Sequence, residues 1–290
     1  MPGPTPETVP TLPELRKRLE SWRAENLSVG LVPTMGALHD GHLSLVRRAV
    51  AECDRVLVSI FVNPKQFAPG EDLDAYPRDQ LGDLNKLASY KVSLAYTPEP
   101  SSIYGDGFAT EINVQGLTDE MCGRLRPHFF SGVATIVAKL FIQSMPDKAY
   151  FGEKDYQQLL VIQRLASDLD IPVEVIGCPI IREKDGLALS SRNAYLSDGE
   201  RRIAPALHHV LQTVSAQART GEPCRSLEDW AKNELLRRGF TAVDYVDVRH
   251  ELTLKQLDTV EQDGAPARVF AAAYLGPTRL IDNFSLQNRT

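Results

Sequence analysis

The residues best suited to chemistry are His39 and His42, in the run Pro33-Thr34-Met35-Gly36-Ala37-Leu38-His39-Asp40-Gly41-His42. An apolar stretch precedes this run and a helix-spaced one follows it, so it occupies a strand-to-helix turn. In an open α/β sheet that is where ligands bind. Gly36 and Gly41 let the backbone turn tightly or approach a ligand closely. A helix starting near Gly41 turns N–H groups and the positive end of its dipole toward the turn, which suits a phosphate. The two imidazoles can then donate to the same phosphate. Negative charge grows on phosphoryl oxygens when a nucleophile attacks phosphorus, and donors aimed at them favour the transition state. Losing one such donor typically costs roughly 100- to 1,000-fold in rate. The competing reading is a pair of helix-start histidines that only cap the helix or take a stray metal.

Other junctions carry complementary groups. Ser59 to Phe67 (SIFVNPKQF) is a buried strand running into a polar loop, where Asn63 and Gln66 offer uncharged amides. Such amides suit a small hydroxylated acid better than a phosphate. Pro64-Lys65 reads as a turn with a solvated lysine. In Phe151-Gly152-Glu153-Lys154-Asp155, Lys154 can neutralise a phosphate as a point charge, while Asp155 can cap the following helix or hold ribose hydroxyls. Leu189-Ser190-Ser191-Arg192 supplies hydroxyls and a guanidinium for triphosphate oxygens; by itself it also reads as a serine-rich domain linker. Asp185-Gly186 in front of it reads as a flexible hinge.

The elements that must position these groups alternate between helical and strand-like periods from Leu12 to about Ile181, which predicts an α/β parallel sheet. The expected helices are Leu12–Arg23, one carrying Leu43, Val46, Ala49, Val50 and Cys53, Leu81–Ser89, Phe129–Ser144 and Asp155–Leu169. The expected strands are Ser28–Pro33, Arg55–Val62, Val92–Tyr96, Ala149–Phe151 and Pro172–Ile181. Then the pattern changes to helices at Ser197–Ala218 and Leu227–Arg238 and strands at Ala242–Val248, Arg268–Tyr274 and Arg279–Asn283. We expect a sheet domain over 1–184 and a smaller C-terminal α+β domain over 185–290. Residues 1–11 lie in a proline-rich stretch and read as a flexible tail.

Bulk properties narrow the function. A chain of 290 residues with 43% hydrophobic and 24% charged residues can build ordinary cores without staples. A net charge of −6 argues against a protein that coats a nucleic-acid backbone. No apolar run reaches the length of a membrane span, so no membrane partner is expected. Cys53, Cys122, Cys178 and Cys224 are too far apart for a C-x-x-C pair and read as buried apolar residues in a reducing, cytoplasmic setting.

With PTMGALHDGH, SIFVNPKQF, FGEKDYQQL and LALSSRN in this order, the chain resembles the pantoate–β-alanine ligases (pantothenate synthetases), which are HIGH-type nucleotidylyl transferases. DYVDVRHELTL and AAAYLGPTRLIDN extend the likeness over nearly the whole length. The resemblance implies a Rossmann-like sheet domain with a C-terminal lid, ATP as a substrate, Mg²⁺ on its triphosphate and a homodimer. It implies attack of pantoate on ATP to give an adenylate, then capture of the adenylate by β-alanine. It places Met35, Gly36, Ala37, Leu38, His39, Asp40, Gly41 and His42 against ATP, together with Gly152, Glu153, Lys154, Asp155, Ile181, Leu189, Ser190, Ser191 and Arg192. His39, His42 and Lys154 carry the catalysis, and Ile181 meets adenine. Gln66, Gln158, Asn63, Tyr76 and Arg126 fall to pantoate and β-alanine, with Gln157 turned away from Gln158 by helical geometry. The metal ligands stay unassigned. The Asp79-to-Asp83 region can offer a carboxylate but reads as a solvated helix start.

One segment departs from the family pattern. Many members read R-P-G-H-F-R-G where this chain has Arg126-Pro127-His128-Phe129-Phe130-Ser131-Gly132. Arg126 keeps its register, while Phe129 and Ser131 replace a histidine and an arginine. His208, His209 and His250 read as structural or surface residues. From the residues alone, another HIGH-type transferase and a catalytically inactive nucleotide-binding scaffold remain the rival readings. A tRNA synthetase is disfavoured by length, charge and the lack of an anticodon-binding region.

Overall fold

In the computed structural model, residues 5–68, 70–260 and 266–287 are described. The chain divides into two compact units. The first holds residues up to Glu153 and Gln157–Pro179, and the second holds Lys154–Tyr156 and everything from Ile180 onward. The division expected after residue 184 thus falls inside the second unit, and the Lys154 segment groups with the C-terminal part.

The first unit is built on a six-stranded parallel sheet. In chain order its elements are β1 (Glu7–Val9), α1 (Leu12–Ala24), β2 (Val29–Thr34), α2 (Asp40–Glu52) and β3 (Arg55–Ile60). There follow α3 (Gln80–Leu87), β4 (Leu94–Tyr96), α4 (Pro100–Ile103), α5 (Cys122–Leu125), α6 (Phe129–Ser144), β5 (Lys148–Gly152), α7 (Tyr156–Asp168, whose first residue groups with the second unit) and β6 (Glu174–Cys178). The strand order β1-β4-β3-β2-β5-β6 reverses direction between β2 and β5. The carboxyl ends of two strands diverge at such a switch point and leave a crevice for ligand. The loop carrying His39 leaves β2 there.

Local sequence explains most of these elements. Thr11 and Glu14 form a capping box at the start of α1, whose Leu15, Leu19 and Trp22 are buried. Leu43, Val46 and Ala49 of α2 pack into the core with Val32, Val56 and Val58. Helix α6 is buried on most faces, as its nearly continuous apolar sequence requires.

The N-terminal tail corrects an expectation. Glu7–Val9 pairs in parallel with β4, from Glu7 opposite Leu94 to Val9 opposite Tyr96, and Val9 is buried. Three residues are too few to show a period, and the pairing partner lies far along the chain. Residues 1–4 of the expected tail lie outside the described residues.

The second unit has α8 (Asp198–Ile203), α9 (Ala206–Ala218) and α10 (Cys224–Arg237), followed by β7 (Ala242–His250), β8 (Ala267–Leu275) and β9 (Thr278–Ser285). Its strands form an antiparallel sheet in the order β7-β8-β9. Leu207, Leu211 and Val214 of α9 and Leu227, Ala231 and Leu235 of α10 share one core with Val246, Val248, Val269, Ala271 and Ala273 of the sheet. The single helix expected over Ser197–Ala218 is two helices. The Ser197–Glu200 capping box opens the first, and the second starts after Pro205. Proline has no N–H to give to the preceding turn, and its ring clashes with the carbonyl four residues back.

Candidate active site

The candidate residues fall into two sets, one in each unit. In the first, the turn after β2 is fixed almost atom by atom. Thr34 Oγ1 donates to the Ser59 carbonyl and accepts from the Gly36 N–H at 3.2 Å. Gly36 and Ala37 both lie in the left-handed region, with φ of 79° and 50°. For Ala37 that conformation costs about 1–2 kcal/mol. Asp83 holds it in place: one carboxylate oxygen accepts from the Ala37 N–H at 2.8 Å and the other from the Leu38 N–H at 2.7 Å. Lys86 Nζ donates to the Leu38 carbonyl at 2.7 Å.

His39 is the N-cap of α2 and His42 its third residue, and each side chain accepts from the other's backbone N–H. His39 Nδ1 also accepts from the Gly41 N–H at 3.1 Å, and His42 Nδ1 from the His39 N–H at 3.4 Å. The ring centroids are 4.1 Å apart. A neutral imidazole whose Nδ1 accepts carries its proton on Nε2. Capping and donation, posed as alternatives from the sequence, are therefore compatible: the cap sets the tautomer that makes each Nε2–H a donor. One expectation changes. The N–H groups of Ala37, Leu38, His39, Gly41 and His42 are taken up by Asp83 and the two imidazoles, so the backbone offers a phosphate less than the motif suggested.

The polar loop after β3 is equally determined. Asn63 is 1% exposed and satisfied on all sides. Its Nδ2 donates to Gln66 Oε1 and to the Gly132 carbonyl, both at 3.1 Å, and its Oδ1 accepts from Tyr104 Oη at 2.7 Å and from the Lys65 N–H at 3.3 Å. Four bonds exhaust a primary amide, so Asn63 orients Gln66 and has no bond left for a substrate. Gln66 Nε2 lies 2.8 Å from Met35 Sδ, which ties this loop to the turn after β2. Pro64–Gln66 is a 3₁₀ turn with Lys65 exposed, as expected. Tyr76 is buried with its ring edge-on to Phe67.

Arg126, expected at the substrate, forms a forked ion pair with Glu71, donates to the Gln66 carbonyl and lies 4.0 Å over the Phe129 ring. Phe129 thus serves as the platform for Arg126. His128 is exposed. On α7 the neighbouring glutamines separate as expected. Gln157 is buried and bonded to Leu117, Glu120 and Cys122. Gln158 is half-buried, and its side-chain amide makes no hydrogen bond among the described residues.

The second set lies in the second unit. Lys154 sits in the 3₁₀ turn Glu153–Asp155, its Nζ 3.8 Å from an Asp155 carboxylate oxygen and its carbonyl accepting from Asn283 Nδ2 at 2.9 Å. A tight loop runs from Ile181 to Leu189, whose N–H donates to the Ile181 carbonyl at 3.0 Å. Asp185-Gly186, expected as a hinge, forms a turn with contacts at both residues. Asp185 accepts from the Leu187 N–H and from Arg201, whose ion pair holds the carboxyl below its ordinary range. A Cβ on Gly186, at φ 93°, would lie 2.5 Å from the His208 ring. Ser190 Oγ accepts from the Arg192 N–H and caps the 3₁₀ turn Ser191–Tyr195.

All four cysteines are free, three of them buried, and burial raises the thiols of Cys53, Cys178 and Cys224, the last to about 11. That keeps them protonated and unreactive. His208 is buried, His209 exposed, and His250 Nδ1 accepts from the Leu252 and Thr253 N–H groups. Asp83 overturns the solvated-helix reading: it is 1% exposed and both oxygens serve the turn after β2. Its signal was an acid one turn into a helix in an apolar setting, which does not reveal the distant N–H groups it accepts from.

The family model for pantoate-beta-alanine ligase matches residues 7–285. The chain belongs to the pantoate–β-alanine ligase family. It is 54% identical to the pantothenate synthetase of Rhodospirillum rubrum over 273 residues, covering 94% of this chain and 96% of that protein. It is 52% identical to the Roseobacter denitrificans enzyme over 282 residues, covering 96% and 98%. The pantothenate synthetase crystal structure from Thermus thermophilus superposes with a TM-score of 0.90 at 45% identity, covering 97% of this chain and 99% of that one. The pantoate-beta-alanine ligase from Francisella tularensis, solved with beta-gamma ATP and beta-alanine, gives 0.82 at 34% identity, covering 97% and 98%. No described helix is long and apolar enough to cross a membrane.

Proposed function

We propose that the chain condenses pantoate with β-alanine at the expense of ATP, with His39 and His42 as donors to the phosphate under attack. In the first step a pantoate carboxylate oxygen bonds to the α-phosphorus and the bond to pyrophosphate breaks. No general base is needed, because a carboxylate is already ionised at neutral pH. The two Nε2–H donors meet the charge that grows on the phosphoryl oxygens, and Lys154, Ser190, Ser191 and Arg192 neutralise the triphosphate. In the second step the β-alanine ammonium gives up a proton to solvent, the free amine bonds to the acyl carbon, the acyl–oxygen bond to AMP breaks, and the nitrogen sheds its extra proton to water or the departing phosphate to leave the amide. Gln66 and Gln158 hold pantoate, Asn63 and Arg126 keep the Gln66 loop in place, and Tyr76 packs behind it. Met35–His42, Gly152–Asp155, Ile181 and Leu189–Arg192 form the nucleotide site.

The observation that carries this reading is the reciprocal capping of His39 and His42, which sets both tautomers before any ligand binds. Among the described residues no three His, Cys, Asp or Glu side chains gather as a metal cage. Mg²⁺ would arrive on the nucleotide, held by phosphate oxygens and water, and would supply charge neutralisation there. Free, buried thiols support a reducing, cytoplasmic setting. A homodimer completes the proposal; sedimentation giving only monomer would remove it. The direct test is AMP release in the presence of ATP, pantoate and β-alanine. AMP formation that does not depend on both acids would sink the ligase reading. The His42→Ala change should depress adenylation at least about tenfold with the fold intact, and an unchanged rate would remove that histidine from the mechanism.

A further inference from the structure

The Arg279–Asn283 stretch belongs to the C-terminal likeness but has no part in the chemistry above. In the structure it lies on β9, where Asp282 and Asn283 are 4% and 3% exposed. Successive residues of a strand point to opposite faces of its sheet. Asp282 stands opposite Ala271, a member of the core shared with α9 and α10, and Asn283 stands opposite Phe270. The two polar residues therefore grip different partners.

Asp282 accepts both arms of Arg182, at 2.7 and 2.8 Å. Arg182 also donates to the Gly186 carbonyl at 3.0 Å and to the Asn283 carbonyl at 3.3 Å. It thereby fixes the loop that runs from Ile181 into Ser190–Arg192. On the other face, Asn283 Nδ2 donates to the Lys154 carbonyl. Asn283 Oδ1 is held by Arg268 Nη1, and Arg268 donates to Glu251 and lies 3.8 Å over the Tyr156 ring. Tyr156 Oη closes the circuit onto Glu251 at 3.1 Å. The Lys154–Tyr156 segment is thus held at both ends, by Asn283 of β9 and by Glu251, one residue past β7.

We infer that Asp282 and Asn283 are positioning residues for adenylation, one strand fixing the Lys154 turn from one face and the segment leading to Ser190–Arg192 from the other. The inference rests on the reading that those segments meet the nucleotide. A largely buried ionic cluster is weak evidence for stability, since apolar residues of like volume often do as well. Geometric control over two cationic segments gives it a use. Neither residue touches the reacting atoms.

The test is a double-mutant cycle read by pyrophosphate exchange into ATP, which reports adenylation alone. Asn283→Asp keeps the acceptor for Arg268 and sets an oxygen against the Lys154 carbonyl. Asn283→Ala serves as the second variant should the extra buried charge prevent folding. Either change should lower the adenylation rate at least about tenfold in the wild-type background and less than about threefold on Lys154→Ala, with the KM for pantoate within about twofold. Asp282→Asn should behave in the same way against Arg192→Ala. Losses that multiply fully in the double variants, or that fall equally on pantoate KM, would show a merely structural role and overturn the inference. If Lys154→Ala and Arg192→Ala are themselves silent, the nucleotide reading has failed and the inference falls with it. That outcome is visible in the single variants before Asp282 or Asn283 is changed.

Discussion

Replacing Asp83 by asparagine tests how the turn after β2, proposed to face the phosphate, is held. The carboxylate accepts two backbone N–H bonds, from Ala37 and Leu38, at 2.8 and 2.7 Å, in a site 1% exposed. Asparagine has one acceptor oxygen, and its NH₂ must then face an N–H. One charge-assisted hydrogen bond is lost, worth about 1.5–3 kcal/mol, and the abandoned N–H carries a desolvation cost of about 1–3 kcal/mol. The two overlap, so about 3 kcal/mol is the working figure, or about a hundredfold in the balance between the formed turn and a displaced one. The left-handed Ala37, at φ 50°, adds to the tendency to relax. Hydrogen exchange of the Ala37 and Leu38 amides should therefore speed up by roughly a hundredfold, and adenylation should slow by about ten- to a hundredfold. Exchange measured on a peptide spanning 35–42, beside pyrophosphate exchange, checks both. Unchanged protection in Asp83→Asn would refute the account, whatever happens to the rate.

Three further outcomes follow from particular contacts. Gln158→Ala should raise the KM for pantoate at least about tenfold without lowering the melting temperature, because the amide makes no hydrogen bond among the described residues; a loss of stability would show that it is structural. Gly132→Ala would set a Cβ on the Lys65 carbonyl and push the Pro64–Gln66 turn aside. A displacement of about 1 Å at Gln66 can cost about a hundredfold in rate, and wild-type kinetics would show that the turn does not position pantoate. The third concerns pH. Burial first, then Arg182 and His209, lower the His208 pKa from 6.5, with Asp282 opposing them. The unfolded chain therefore takes up this proton at a higher pH than the folded one. The stability contribution is full above pH 6.5 and declines as pH falls toward the folded value. Thermal melts of His208→Gln should lose part of the acid-side decline seen in the parent; identical pH profiles would refute it.

What was legible in the sequence follows from locality. The periods of α2, β3 and α6, the Ser197–Glu200 cap and the His39–His42 turn depend on residues a few positions apart, so pattern alone located them. The order of the motifs placed the chain in its family. Contacts across the chain were another matter. Glu7–Val9 is a strand only because β4 lies beside it. Asp83 is defined by N–H groups of Ala37 and Leu38, and Asn63 by the Tyr104 hydroxyl and the Gly132 carbonyl. Arg126, expected at the substrate, is claimed by Glu71. Asp185-Gly186, expected to flex, is pinned by Arg201 and backed by His208. For each of these side chains its type stated what it could bond to, and only the fold decided which partner came within hydrogen-bond distance. The sequence by itself thus determined the chemical inventory and the strand-to-helix junctions, through local propensity and period. The tertiary structure decided which polar groups are spent on holding the site and which remain for substrate, because a buried donor or acceptor must find its partner wherever the packed chain brings one.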